Sequence, residues 1–173
     1  MVYVITGGPG FGKTALITKL SELGYPVGGE IARQMIIDQK ANGGGVLPWI
    51  DVAGFEKQVM EERIKFIKSI DIDEIAFSDR GLPDQVAFSL LKGKKVSQQL
   101  IEALATNNYA KRVFLTPPWR QIYRNDPIRT ETFEEAENIH RHIKTAYINF
   151  GYELIELPFA SPEKRIEFIL NSL

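Results

Sequence analysis

Residues 5–14 read ITGGPGFGKT and follow the apolar run MVYV directly. The stretch Gly7-Gly-Pro-Gly-Phe-Gly12-Lys13-Thr14 fits the pattern G-x-x-x-x-G-K-[ST]. A polyphosphate needs many hydrogen-bond donors at once, and only a backbone with little side-chain bulk can wrap around it. Glycine permits the φ values that turn successive N–H groups inward. A helix that starts where the turn ends adds unpaired N–H groups and the positive end of its dipole. The loop Gly8, Pro9, Gly10, Phe11 and Gly12 is therefore expected to cradle phosphates, with Lys13 reaching the β and γ phosphates and Thr14 holding Mg²⁺ through its hydroxyl.

A phosphate loop works only between a strand and a helix, and the chain supplies both. Residues 1–6 are a short β-rich apolar run, and residues 12–23 carry Leu16, Leu20 and Leu23 at helical spacing before a stop at Gly24. Residues 25–27 read as a second strand, which Pro26 restricts to a sheet edge because it cannot donate to a central ladder. Helical patterns follow over 30–40 and, opening at Pro48, to about residue 70, with the loop NGGGV between them. Residues 74–79 (EIAFSD) form a third strand, 83–91 and 96–107 two helices, and 112–116 (RVFLT) a fourth strand. Residues 117–125 fit a short helix stopped by Asp126-Pro127. Thr132 and Glu135 form a capping-box pattern for a helix with Ala136, Ile139, Ile143, Tyr147 and Phe150 as its apolar stripe. A fifth strand over 152–157 and a last helix begun by Ser161-Pro162 complete the chain.

Strands alternating with helices predict an α/β fold, a parallel sheet covered on both faces. The 173 residues suit one domain with a sizeable core. Ligands of such sheets bind beyond the carboxyl ends of the strands, which gathers Thr6, Gly28, Asp79, Thr116 and Leu157 along one edge. A net charge of −1 argues against a broad nucleic-acid footprint. The absence of cysteine removes disulfides, thiolate zinc sites and cysteine nucleophiles, and fits a reducing cytoplasm. No leader and no bilayer-length apolar run is visible, so neither a membrane nor secretion is expected.

An acid at the end of a neighbouring strand completes a phosphate-loop site by standing near Mg²⁺. Asp79 ends the strand IAFSD, and Arg80 follows it. The pair Asp79-Arg80, followed by a helix with Asp84 and Phe88, resembles the Asp-Arg signature of thymidylate kinases and their relatives. More widely, GGPGFGKT, GEIARQ (29–34), FSDRGLPD (77–84), the stretch 120–129 and GYELIELP (151–158) resemble small predicted ATPases related to the ribosylnicotinamide kinase domain of bacterial NAD regulators. The resemblance spans nearly the whole chain in order. It implies a three-layer P-loop NTPase fold of the nucleoside/nucleotide kinase type, with five parallel strands in the order 2-3-1-4-5.

In nucleoside kinases of this superfamily an acid just after the second strand lies beside the hydroxyl to be phosphorylated, and Glu30 matches that position. Glu30 also suits a helix N-terminus through the dipole alone, and both readings stand. Arg33, one turn on, could anchor the acceptor, as could Asp84. Arg120, Arg124 and Arg129 fall where related kinases carry a mobile lid whose arginines neutralise the phosphoryl group in flight; a solvated basic loop is the other reading. His140 and His142 lack metal-ligand spacing, and Asp51-Val-Ala-Gly54 falls at a helix start rather than after a strand. Trp49 and Trp119 follow prolines near the expected mouth, as base-stacking or packing residues. Together these features predict an ATP- and Mg²⁺-dependent enzyme that phosphorylates a small acceptor such as a nucleoside or nucleotide. The alternatives are an ATPase or nucleotide-dependent switch without acceptor, and a module that binds nucleotide without turnover.

Overall fold

A computed structural model describes residues 1–124 and 131–173. Five strands, β1 (Val2–Thr6), β2 (Val27–Gly28), β3 (Ala76–Asp79), β4 (Arg112–Leu115) and β5 (Glu153–Glu156), form one parallel sheet in the order β2-β3-β1-β4-β5. Side chains alternate across a strand, so each strand feeds both faces. Val2 and Val4, Ala76 and Val113 face one layer, packed by α4 (Leu82–Leu91), α5 (Gln98–Thr106) and α6 (Phe133–Asn149). Ile5, Phe77 and Phe114 face the other, against Leu16 and Leu20 of α1 (Lys13–Glu22) and Ile166 and Ile169 of α7 (Pro162–Leu170). The remaining helices are α2 (Ile31–Ala41) and α3 (Val52–Ser69). Gly28 lets α3 close on the sheet, since a Cβ there would stand 2.8 Å from the Phe66 ring.

The fold and strand order are those expected, and β2 is the short edge strand that Pro26 foretold, shifted by a residue or two. The Pro26 carbonyl accepts from the Phe77 N–H, so proline joins the ladder through its oxygen alone. Two expected helices differ. The long helix starts at Val52 rather than Pro48, because Asp51 accepts from the Gly54 N–H at 2.9 Å and caps it. Within 117–124 the short helix is not formed: Trp119 packs edge-on against Phe159, and Arg124 donates to the carbonyls of Gln121 and Tyr123. The stop at Asp126-Pro127 lies outside the described residues. The Thr132–Glu135 capping box is present, with both reciprocal bonds made.

Candidate active site

The turn after β1 uses its glycines as the motif requires. Gly7, Gly10 and Gly12 have φ of 136°, 79° and 86°, a region that side chains rarely enter. A Cβ on Gly7 would collide with Thr116, and one on Gly10 would lie 2.5 Å from the Tyr123 ring. Phe11 turns away from the loop and is fully buried against Tyr123, Phe133 and His140, which pins the turn to α6. Its contribution to a ligand is therefore backbone only. Lys13 opens α1, is buried, and donates to the carbonyls of Gly8 and Gly7 at 2.8 and 3.2 Å. Burial, and next the Arg80 charge, pushes its ammonium down to about 7, against the pull of Asp79, Glu30 and Asp84. Thr14, beside it in the first turn of α1, is exposed.

Asp79 sits at the carboxyl end of β3, in register with Ile5 of β1. Both carboxylate oxygens are buried and have no hydrogen-bond partner among the described residues. Burial lifts this carboxyl above the ordinary aspartate range, and Lys13 and Arg80 offset only part of that. A buried acid without a donor is costly unless a cation completes it. The exposed Thr14 hydroxyl and the unpartnered Asp79 oxygens are hard oxygen donors of the kind Mg²⁺ takes, a cation that keeps most of its waters. The residues present fit that ion.

Arg80 has a left-handed backbone, φ 70°, the one such non-glycine conformation among the described residues. The conformation is held from both sides: the Arg80 N–H donates to the Ile5 carbonyl, and Ser78 Oγ donates to the Arg80 carbonyl at 2.7 Å. The guanidinium thereby reaches the Gly7 carbonyl at 3.1 Å and Asp84 at 3.0 Å, with its carbon 5.3 Å from the Phe88 ring centre. Asp84 does not face an acceptor, contrary to expectation. It is fully buried, and accepts from Thr6 Oγ1 (2.6 Å), Arg80 Nη1 (3.0 Å), the Gly81 N–H (2.8 Å) and the Tyr147 hydroxyl (2.6 Å). With all four lone-pair sites used, it is a positioning residue for Arg80. Burial raises its pKa, but the Arg80 and Arg63 charges and the Gly81 and Thr6 hydrogen bonds outweigh that and hold it below the usual range.

Beside this cluster lies a cavity of about 270 Å³. Pro9 and Arg80 form its phosphate-loop side, and Glu30 and Arg33 its α2 side. The walls come from α3 and α4, and include Val52, Phe55, Val59 and Phe88. Glu30 and Arg33 are thus brought together with Arg80. Arg120 and Arg124 are not: Arg120 is exposed, pairs with Glu134 at 2.5 Å and lies over Phe133, while Arg124 is exposed and holds loop carbonyls. Arg129 lies outside the described residues.

Sequence reasoning missed Arg63 and Gln85 in the cavity wall, Tyr123 over Gly10, and Arg165. Arg165 is buried on α7 with Nη1 3.1 Å from where a Gly12 Cβ would stand, and 5.9 Å from the Trp119 ring centre. Arg63 did leave a signal: it continues the i, i+4 series Phe55, Val59 on the buried stripe of α3, where a cation is out of place.

The model of the AAA domain family matches residues 2–165. The chain belongs to that family. No functionally curated protein sequence matches this AAA-domain chain. Its fold is shared with solved P-loop kinases. Deoxyadenosine kinase from M. mycoides aligns with a TM-score of 0.66 at 17% identity, covering 99% of this chain and 98% of that one. Shikimate kinase from Aquifex aeolicus aligns at 0.59 and 16% identity, covering 99% and 95%. The NadR protein in complex with NR aligns at 0.70 and 16%, covering 99% of this chain and 49% of that one. The P-loop kinase fold implied by the sequence resemblance is therefore the fold observed. No helix among the described residues is long and apolar enough to cross a membrane.

Proposed function

We propose that the protein transfers the γ-phosphoryl group of ATP, with Mg²⁺, to a small acceptor bearing a hydroxyl or phosphate, such as a nucleoside or nucleotide. One observation carries this: the phosphate loop and a cavity of acceptor size meet at Pro9, Glu30 and Arg80. Hydrolysis to ADP needs no such chamber.

The backbone of the loop 8–12 binds the phosphates, and Lys13 leaves its two loop carbonyls for phosphate oxygens. Thr14 and Asp79 would hold Mg²⁺, which when bound neutralises charge on the phosphate oxygens. Glu30 orients an acceptor hydroxyl and takes its proton as the oxygen–Pγ bond forms. The bond from Pγ to the bridging oxygen breaks at the same time, and its electron pair leaves with ADP. Arg80, preset by Asp84, steadies the charge on the group in transit. Arg33 anchors the acceptor. Arg120 and Arg124 belong to a segment that closes over the phosphates and excludes water, with a change of partner for both.

The test is a mass-spectrometric screen of nucleosides, nucleotides and polyol acids with ATP and Mg²⁺. The expected result is a phosphorylated product in one-to-one yield with ADP. Glu30→Gln is expected to lower its kcat by about 10²-fold or more. The description of the family as an AAA domain supports a second reading, an ATPase without acceptor. Steady ADP release with no phosphorylated product from any acceptor would favour that reading and end the first.

A further inference from the structure

Arg165, on α7, is 2% exposed, less than any other cation among the described residues. Its Nε and Nη2 are sealed from water and have no hydrogen-bond partner there. No carboxylate of the described residues forms an ion pair with it: Glu163, two residues earlier, is exposed and pairs with Lys19 at 2.8 Å. Buried polar atoms in native proteins are almost always paired, and a buried charge without a counter-charge is costly. A guanidinium cannot escape that cost by losing its proton.

Its position raises the cost further. Arg165 stands in the first turn of α7, where its N–H donates to the Ser161 carbonyl, and side chains on a helix lean toward its N-terminus. The guanidinium also reaches the start of α1: Nη1 lies 3.1 Å from where a Cβ on Gly12, the N-cap of α1, would stand. The first turn of α1 carries no acid, and Gly12 has no side chain to cap it. Helix N-termini stabilise anions and disfavour cations. Two such ends and a guanidinium therefore converge on a spot that lacks a negative charge. Ile122 Cδ1, also 3.1 Å from that Gly12 position, and the Trp119 ring, 5.9 Å from the guanidinium carbon, flank it with apolar surface. The spot belongs to the phosphate loop but not to the acceptor cavity, which meets the loop at Pro9 and is not lined by Arg165. A γ-phosphoryl group that faces the cavity leaves the other end of the triphosphate, the α-phosphoryl group, at Gly12.

We propose that Arg165 is a nucleotide-binding residue: its Nη1 donates to an oxygen of the α-phosphoryl group, and this contact makes the site prefer a chain of three phosphates to one of two. The inference rests on the kinase reading for the direction in which the triphosphate lies. One phosphate group answers the guanidinium and the two helix ends together, which a neutral base nitrogen would not. Arg165 does not touch the transferred group. Its contact is the same before and during transfer, so it acts on the KM for ATP and not on kcat.

The experiment measures, by calorimetry with Mg²⁺, the binding of a non-hydrolysable ATP analogue, tripolyphosphate and pyrophosphate. Arg165→Met is expected to weaken the analogue and tripolyphosphate by at least about tenfold each, and pyrophosphate by less than about twofold. Arg165→Lys keeps the charge and is expected to bind the analogue within about fivefold of wild type, which carries the test if the methionine variant does not fold. Without nucleotide, Arg165→Met is expected to melt no lower than wild type, since it removes an unanswered buried charge; an arginine with a purely structural role would lower the melting point and weaken all three ligands together. Where a phosphorylated product is formed, the KM for ATP should rise by the same factor as the binding constant, with kcat within about twofold. An equal loss for all three ligands, a loss for the ATP analogue alone, or no loss would overturn the assignment and leave the kinase reading intact wherever a product is formed. The selective loss without transfer to any acceptor would uphold Arg165 and refute the kinase.

Discussion

Asp84→Asn removes one charge from the most interconnected polar site of the protein while keeping its shape. The wild-type carboxylate accepts four hydrogen bonds, two on each oxygen, and balances a guanidinium whose side chain is about one-tenth exposed. Breaking a buried pair by neutralising one partner costs about 3–5 kcal/mol, because the other charge stays buried. The Asn amide adds to this. Whichever way it faces, its NH₂ meets groups that were donating, and the Gly81 N–H or the Arg80 N–H is left without an acceptor, a further loss of about 1–3 kcal/mol. These terms share partners and do not add fully, so about 4–6 kcal/mol is expected, against a typical domain stability of about 5–15 kcal/mol. Urea unfolding followed by circular dichroism measures it. Arg80→Met in the Asp84→Asn background should recover a large part, with a coupling energy of about 2 kcal/mol or more. The deficit also depends on pH. The folded carboxyl titrates below its unfolded value of 3.8, so its stabilisation is complete above that value and is lost as pH falls through the folded pKa. The difference between wild type and Asp84→Asn should therefore shrink in acid. A cost below about 1 kcal/mol at pH 7, or additive behaviour of the two substitutions within about 0.5 kcal/mol, would refute the assignment of Asp84 as the counter-ion that sets Arg80.

Other outcomes follow from the same geometry. Because the Lys13 ammonium is pushed down to about 7, and phosphate oxygens favour its charged form, ATP binding is expected to take up protons between about pH 7 and 9; calorimetry in buffers of different ionisation enthalpy reads this, and Lys13→Met should abolish it. The unfolded chain holds that proton up to about 10.5, so the nucleotide-free protein should gain stability with rising pH between these values, and Lys13→Met should remove that slope. Asp79 titrates above its unfolded value, because burial disfavours its charge, so its ionised form costs stability; Asp79→Asn is expected to raise thermal stability while lowering Mg²⁺-dependent turnover by about 10²-fold or more, measured by melts and initial rates. Gly10→Ala must hold φ near 79° and push its methyl into the Tyr123 ring, which should cost about 1–2 kcal/mol of stability and weaken ATP binding.

The phosphate loop, the alternating strands and the capping box were legible in the sequence because each depends on neighbours within a few residues. Glycines at 7, 10 and 12 announce positive φ by their own chemistry, and Thr132–Glu135 closes a box over three residues. Asp79 was legible because a strand's end and its last residue are read together. The extra helix expected over 117–125 shows where local pattern fails: anchors at Phe159 and Glu134 hold Trp119 and Arg120 in another conformation, and such anchors are distant in sequence.

Only the tertiary structure decided the site's polar wiring. Asp84 meets Thr6 from 78 residues away and Tyr147 from 63, and a motif that runs from Asp79 to Asp84 carries no trace of either. The left-handed backbone of Arg80 depends on β1 supplying the Ile5 carbonyl, and the cavity on α2, α3 and α4 converging beside the loop. Local sequence sets which residues prefer to turn, extend or coil. Which buried charge is answered, and which is left facing a chamber, is settled when segments far apart in the chain exclude water together.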